Sequence, residues 1–348
     1  MQKVDEQFMQ RALDLADLGK NEVSPNPRVG AVIVHEGKII GEGYHQKYGE
    51  SHAEVNAIAA VEDKSLLKEA TIYVSLEPCS HFGKTPPCAD LILTHKIPRV
   101  VIANKDPFKE VAGRGIQKLQ EAGVEVIVGV LQEKGERLNR RFFTFHQKQR
   151  PYIILKWAQT KDGFIGRSKD DPNVEDSWIT NTISKLLVHL WRAEEDAILV
   201  GKNTVLRDNP ELTCREVKGK NPIRLLIDSN CELEKGLKIF NSAAETVILN
   251  SQKTESNQNI SWVKSDLNEL VLAVNQLCLQ RNIHSLIVEG GASILHQFIT
   301  SGNWDEARVF EGGKRFKRGV EAPLINGEVI SEEKIDGDIL RIYTNTHS

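Results

Sequence analysis

From Ala70 to Val130, apolar runs of strand length alternate with segments of helical pattern: ATIYVSLEP, CADLILTH, RVVIAN, IQKLQEAG and VEVIVGV. Strands separated by helices rejoin one sheet through crossovers, so this stretch predicts a largely parallel sheet with helices on both faces. Ahead of it, a helix over about residues 4–18 leads into VGAVIVHEGKIIGEGYH, two apolar strands joined at the Glu36-Gly37 turn, and a further helix starts at Ala53. One domain is complete by about residue 130.

A chain of 348 residues has room for a second core. LQEKGERLNRRFFTFHQKQR is charged and helical in pattern, and a new apolar strand, PYIILKWA, starts at Pro151, so the expected domains span 1–145 and 146–348. AILVG, IRLLID, TVILN and SLIVEGG are further strands, with helices near 181–194, 266–281 and 292–301, which makes a second α/β domain. SQKTESNQNIS is polar enough for a surface loop, and the sequence after about Asn326 is too mixed to assign.

A formal net charge of -3 gives no electrostatic footprint for a polyanion, so nucleic acid is not an expected partner. The first helix lacks the apolar core and small-residue cleavage site of a signal peptide, and no apolar run reaches membrane-spanning length, so a cytoplasmic location and no membrane partner are expected. Cys79, Cys88, Cys214, Cys231 and Cys278 are odd in number and sparse, which argues against a disulfide scaffold. The last three have no neighbours at ligand spacing and read as structural.

Cys79 and Cys88 read differently. Ser51-His52-Ala53-Glu54-Val55 lies at a helix start, and Glu77-Pro78-Cys79 is followed after a loop by Cys88. One imidazole and two thiolates make three zinc ligands and leave the fourth tetrahedral position for water, whose pKa the metal would lower toward neutrality. Glu54 can shuttle the proton without binding metal, the role its position has in the H-x-E plus Pro-Cys pattern of zinc nucleobase deaminases. Eight residues rather than two separate the cysteines, yet Cys79 closes a strand and Cys88 opens a helix whose dipole favours a thiolate. A closed structural site, with His81 as fourth ligand, is the alternative. His45 and Lys84 flank the motif as candidate phosphate ligands or solvated surface groups.

The second half has no G-x-G-x-x-G turn, but Val288-Glu289-Gly290-Gly291-Ala292-Ser293 joins a strand to a helix. Such glycines allow close backbone approach to a ligand and aim helix N–H groups at a phosphate, or simply make a tight turn.

Nearly the whole sequence resembles the bifunctional riboflavin-biosynthesis deaminase/reductase family. The resemblance is carried by Pro25-Asn26-Pro27-Arg28-Val29-Gly30, by His52 to Ala57 and by the loop from Pro78 to Cys88. In the second half it is carried by the stretches from Lys156 to Gly163, Ser177 to Thr180, Gly201 to Pro210 and Arg224 to Ser229, and by the Glu-Gly-Gly element. It implies a cytidine-deaminase-like three-layer α/β domain followed by a dihydrofolate-reductase-like α/β domain. The implied chemistry is hydrolytic deamination of 2,5-diamino-6-(5-phosphoribosylamino)pyrimidin-4-one, then NADPH-dependent reduction of the ribosyl group to a ribityl chain.

By the same resemblance His52, Cys79 and Cys88 bind zinc and Glu54 is the proton shuttle. Ala158, Trp178, Thr204, Asp208, Ser229 and the stretch from Gly291 line the NADPH site. Asp176, Arg192, Leu212, Arg215 and Glu289 face a small phosphorylated pyrimidine, for which a guanidinium fork is suited, although ordinary ion pairs would account for the arginines too. Hydride comes from the cofactor, so no acid or base is named in this half. A homo-oligomer is expected. Three features depart from the family pattern: Lys161, the acid Asp176 near an anionic substrate, and the basic stretch from Glu311 to Gly319. Two rival readings stand beside this one: a zinc deaminase of another nucleobase or RNA with a non-catalytic second domain, and a purely structural zinc site.

Overall fold

Turn chemistry and strand alternation organise the first half. Residues 2–20, 22–80, 86–108, 112–168, 170–173 and 176–346 are described by the structure, a computed structural model, which divides into two units, Met1–Gln149 and Arg150–Ser348. In the first, α1 (Gln2–Asp17) precedes β1 (Gly30–His35) and β2 (Lys38–Tyr44), followed by α2 (Ala53–Ala60), β3 (Thr71–Leu76) and α3 (Cys88–Thr94). Then come β4 (Arg99–Asn104), α4 (Arg114–Glu121), β5 (Glu125–Val128), α5 (Gln132–Leu138) and α6 (Arg140–Lys148). Glu36 and Gly37 both have positive φ, 48° and 72°, as the tight two-residue hairpin between β1 and β2 requires.

The sheet order is β2-β1-β3-β4-β5, with β1 antiparallel to β2 and β3 and the rest parallel. Side-chain alternation gives each face its own core. Ile33, Ile72, Val74, Val100 and Ile102 pack with Ala53 and Ala57 of α2, Ile92 of α3 and Leu119 of α4. Val32, Tyr73 and Val101 pack with Phe8, Met9 and Leu13 of α1. The result is three layers. The helix that carries Glu54 lies tight on β2: a Cβ at Gly43 would fall 2.3 Å from the Ala57 nitrogen and 2.6 Å from the Ala53 carbonyl oxygen. The charged segment after residue 130 is two helices that meet at Asn139, whose side chain accepts from the Arg28 N–H at 2.8 Å and donates to the Arg28 carbonyl at 2.8 Å.

The second unit opens with β6 (Tyr152–Thr160), β7 (Phe164–Arg167), α7 (Thr182–Glu194), β8 (Ala197–Gly201), α8 (Lys202–Asp208) and β9 (Ile223–Ile227). It continues through β10 (Thr246–Asn250), β11 (Glu255–Asn257), β12 (Ile260–Lys264), α9 (Leu270–Gln280), β13 (Ser285–Val288) and α10 (Ala292–Thr300). β14 (Glu306–Gly312), β15 (Gly319–Glu321), β16 (Glu328–Ile335) and β17 (Asp338–Thr344) complete it. Ten strands run in the order β11-β12-β10-β9-β8-β13-β6-β14-β17-β16, parallel from β12 to β14 and antiparallel at both ends. β7 and β15 form a separate antiparallel pair. One face packs Ile153, Leu155 and Leu286 against α9 and α10, and the other packs Ile154, Ile198 and Leu226 with Val205 of α8.

Two expectations change here. The polar stretch from Ser251 to Ser261 is not simply a loop, since it contains β11 and the start of β12; all three β11 residues are exposed, so no apolar alternation marks the strand. Beyond Asn326, β16 and β17 form a hairpin turning at Asp336-Gly337, and Leu340 and Ile342 of β17 pack with Val188 of α7. Among the described residues no helix is long and apolar enough to cross a membrane.

Candidate active sites

β3 ends at Leu76, and the chain turns through Pro78 to place Cys79 beside the first residue of α3, Cys88, and the N-cap of α2, His52. The His52 Nδ1 lies 3.7 Å from the Cys79 Sγ and 3.3 Å from the Cys88 Sγ, and one ligand atom from each of the three residues lies within 4.8 Å of the others. Tetrahedral zinc, with bonds of about 2.3 Å to sulfur and 2.0–2.1 Å to nitrogen, sets such donors about 3.5 Å apart. The donor set and its spacing therefore fit zinc. Among the described residues this is the one cluster of its kind.

The Cys88 thiol and the His52 imidazole hold the Cys79 pKa well below the ordinary thiol range. The backbone N–H of Cys88, at the start of α3, donates to the Cys79 Sγ at 3.3 Å, so the helix end serves its neighbour. Cys88 is pushed up by Cys79 and by burial. A coordinating cation deprotonates such a thiol outright. Glu54 is only 3% exposed, and burial pushes its carboxyl up to about 7, with His52 opposing and Cys79 adding. A carboxyl balanced near neutrality suits proton transfer in both directions.

His45 is not a free phosphate ligand. It is buried, its Nδ1 lies 3.0 Å from the Ser51 carbonyl oxygen, its Nε2 lies 3.1 Å from the Asn26 Nδ2, and burial lowers its pKa. A neutral imidazole that donates from Nδ1 and accepts at Nε2 satisfies both contacts. His81 and Lys84 lie outside the described residues.

In the second unit, candidate residues gather at the carboxyl ends of adjacent parallel strands, where open α/β sheets bind ligands. Ser229 follows β9, Gly201 ends β8 and caps α8, and Gly291 follows β13 and caps α10. Thr204 faces Gly291, its Oγ1 3.5 Å from where a Cβ would stand. Asp208 ends α8, Ala158 packs beside α7, and Trp178 is exposed, its ring 5.9 Å from the Lys185 Nζ.

Arg192 and Glu289 are brought together, with the Arg192 Nη2 donating to the Glu289 Oε2 at 2.9 Å. The Arg192 Nη1 donates to the Thr213 carbonyl at 3.4 Å, next to buried Leu212, whose φ is 54°. Arg215 stays near the surface, 3.4 Å from Glu211. Asp176 pairs with Lys314 at 2.6 Å, so two departures from the family pattern compensate: a cation from the basic stretch faces the acid. Lys156, not singled out from sequence as a site residue, lies 3.7 Å from Glu289; a lone ammonium inside the apolar strand PYIILKWA was the available signal. Burial lowers its pKa, with Glu289 opposing.

Burial pushes the Glu289 carboxyl up, but Arg192 and Lys156 outweigh it and hold the pKa at about 2. An acid depressed from 4.5 to about 2 contributes roughly 3 kcal/mol, present above the unfolded pKa and lost as pH falls through the folded one. Glu289→Gln should therefore destabilise the second unit by about that much at neutral pH, leaving Arg192 facing Lys156. Its denaturation midpoint should converge with wild type as pH is lowered from about 4.5 toward 2. A gap unchanged across that range would show that the ion pair is not its source.

Comparison with known proteins follows the same division. Residues 2–104 match the cytidine and deoxycytidylate deaminase zinc-binding region, and residues 151–314 match the RibD C-terminal domain. The riboflavin biosynthesis protein RibD of Aquifex aeolicus is 40% identical over 332 residues, 92% of this chain and 90% of that protein. The Escherichia coli protein of the same name is 38% identical, over 88% of this chain and 87% of its own. A Thermotoga maritima structure, a diaminohydroxyphosphoribosylaminopyrimidine deaminase/5-amino-6-(5-phosphoribosylamino)uracil reductase, is 37% identical with a TM-score of 0.88 and covers 99% of each chain.

Proposed function

The chain belongs to the RibD family of bifunctional riboflavin-biosynthesis enzymes, zinc-dependent deaminases joined to NADPH-dependent reductases, and from that premise we propose which of its residues carry the two reactions and on what substrate. The substrate is diaminohydroxyphosphoribosylaminopyrimidine, the compound in the name of the Thermotoga maritima enzyme, and its deaminated product, 5-amino-6-(5-phosphoribosylamino)uracil, passes to the reductase. The observation that carries this reading is the triad of His52, Cys79 and Cys88 at zinc spacing with buried Glu54 beside it.

His52, Cys79 and Cys88 hold the zinc, which when bound lowers the pKa of water toward neutrality. Glu54 accepts the proton of the attacking water and returns it to the amino nitrogen, which leaves as ammonia while the ring gains a carbonyl oxygen. In the second unit Thr204, Ser229 and Gly291, with Ala158, Trp178 and Asp208, bind NADPH, which supplies the hydride. Arg192 and Arg215 face the substrate phosphate, alongside Leu212, Glu289 and the Asp176–Lys314 pair. Lys156 and Arg192 keep Glu289 ionised and fixed. A cytoplasmic location and a homo-oligomer accompany this reading.

The rival reading, an RNA or nucleobase deaminase with a non-catalytic second domain, is disfavoured because residues 151–314 match the RibD C-terminal domain. The test supplies the purified chain with 5-amino-6-(5-phosphoribosylamino)uracil and NADPH in one assay and with a cytidine-containing RNA in another. NADPH oxidation in the first and no ammonia in the second are expected. Ammonia from RNA without NADPH oxidation would overturn the assignment.

A further inference from the structure

Glu77 is a buried acid, 4% exposed, two residues before Cys79, and no step above uses it. Its carboxylate is enclosed by backbone donors. The Oε2 accepts from the N–H groups of Asp106 at 3.2 Å and Gly113 at 3.0 Å, and the Oε1 accepts from Gly115 at 3.0 Å and Ile116 at 3.3 Å. Gly113 is the N-cap of α4, so one side chain satisfies three of that helix's orphan donors and one from the preceding loop. The Glu77 N–H meanwhile donates to the Asn104 carbonyl at 2.9 Å and continues the β3–β4 ladder.

The chain between Glu77 and Cys79 is thereby held from both sides. On the α4 side the fit leaves no slack, because a Cβ on Gly115 would lie 2.1 Å from the Pro78 carbonyl oxygen. On the α3 side the Cys79 carbonyl accepts from the Ala89 N–H at 3.1 Å, and its Sγ accepts from the Cys88 N–H at 3.3 Å. The one covalent path from the Glu77 anchor to the Cys79 sulfur is the Pro78 unit, whose ring fixes its own φ.

We infer that Glu77 is a positioning residue of the deaminase: by locking the Pro78 turn onto the N-terminus of α4, it sets where the Cys79 sulfur stands relative to His52 and Cys88. The inference rests on the reading of those three residues as the zinc ligands. Outer partners that orient metal ligands typically tune affinity by 10–100-fold. Glu77→Gln keeps the size but turns one acceptor into an NH2 that faces backbone donors. Glu77→Asp keeps the charge but withdraws the carboxylate by one methylene from all four.

Zinc affinity of the full-length chain, read by competition with a chromogenic chelator, tests this, alongside the visible absorption of the Co2+-substituted protein. Asp5→Asn serves as the control: Asp5 is comparably buried in the same unit, on α1, paired with Arg99 at 2.9 Å. Both Glu77 variants should lose zinc affinity by roughly 10–100-fold, with altered Co2+ bands in Glu77→Asp, while Asp5→Asn, matched for loss of thermal stability, stays within about twofold of wild type. Should Glu77→Gln fail to fold, Glu77→Asp carries the test. Unchanged affinity and Co2+ bands in the variants, or an equal loss in Asp5→Asn, would overturn the inference. Failure of wild type to bind zinc would instead remove the ligand reading beneath it.

Discussion

Glu54→Gln should release ammonia roughly 10²–10⁴-fold more slowly than wild type while retaining a full complement of zinc. The amide fills the carboxyl's space at the start of α2 but cannot take a proton from water and return it to the leaving nitrogen. Because the residue is not among the three converging ligands, metal content should not fall with activity. Stability of the zinc-free protein supplies an independent sign. Burial raises the folded-state pKa from 4.5 to about 7, so between those values the folded state binds more protons than the unfolded chain, and stability falls as pH rises. The glutamine variant is free of that penalty. Zinc-free Glu54→Gln should equal wild type below about pH 4.5 and exceed it above about pH 7, by up to roughly 3 kcal/mol. Lower stability at every pH would mean that the substitution has damaged packing, and the rate loss could then not be credited to proton transfer.

Cys88→Ser should abolish stoichiometric zinc binding and with it ammonia release. Cys88 is 1% exposed and its sulfur lies 3.3 Å from the His52 Nδ1, and a serine hydroxyl is both shorter and a far poorer zinc ligand than a thiolate. Wild type should gain thermal stability on adding zinc, about 4 kcal/mol when the free metal exceeds its dissociation constant a thousandfold, and the variant should gain none. Its reductase activity on the deaminated substrate should stay within about twofold of wild type, because the residues assigned to that reaction all belong to the other unit. Zinc content and differential scanning fluorimetry with and without a chelator check the first part, and NADPH oxidation checks the second. A variant that binds zinc normally would show that Cys88 is not a ligand.

What the sequence disclosed follows how local each signal is. The first sheet was readable because β1, β3 and β4 are buried on both faces and carry continuous apolar runs bounded by turn residues. The candidate metal cluster was readable because each donor sits at the boundary of one element, in a short motif. The hydrogen bond from the Cys88 amide back to the Cys79 sulfur was not, since it depends on how the end of β3 and the start of α3 meet in space. Lys156 escaped because its meaning is set by register: Leu155 pairs with Val288 across parallel strands, and that places Lys156 beside Glu289, far away in sequence. The Asp176–Lys314 pair is equally non-local, and the acid looked unfavourable until its partner was known. β11 and β16 are edge strands exposed along most of their length, where burial imposes no pattern to read.

The most direct measurement is to count ammonia released and NADPH oxidised by one sample of the purified wild-type chain given diaminohydroxyphosphoribosylaminopyrimidine. Equal final amounts, with ammonia appearing before NADPH is consumed, are expected of two sites acting in sequence on one substrate. Ammonia release that is never followed by NADPH oxidation would contradict the assignment of the second unit as a working reductase.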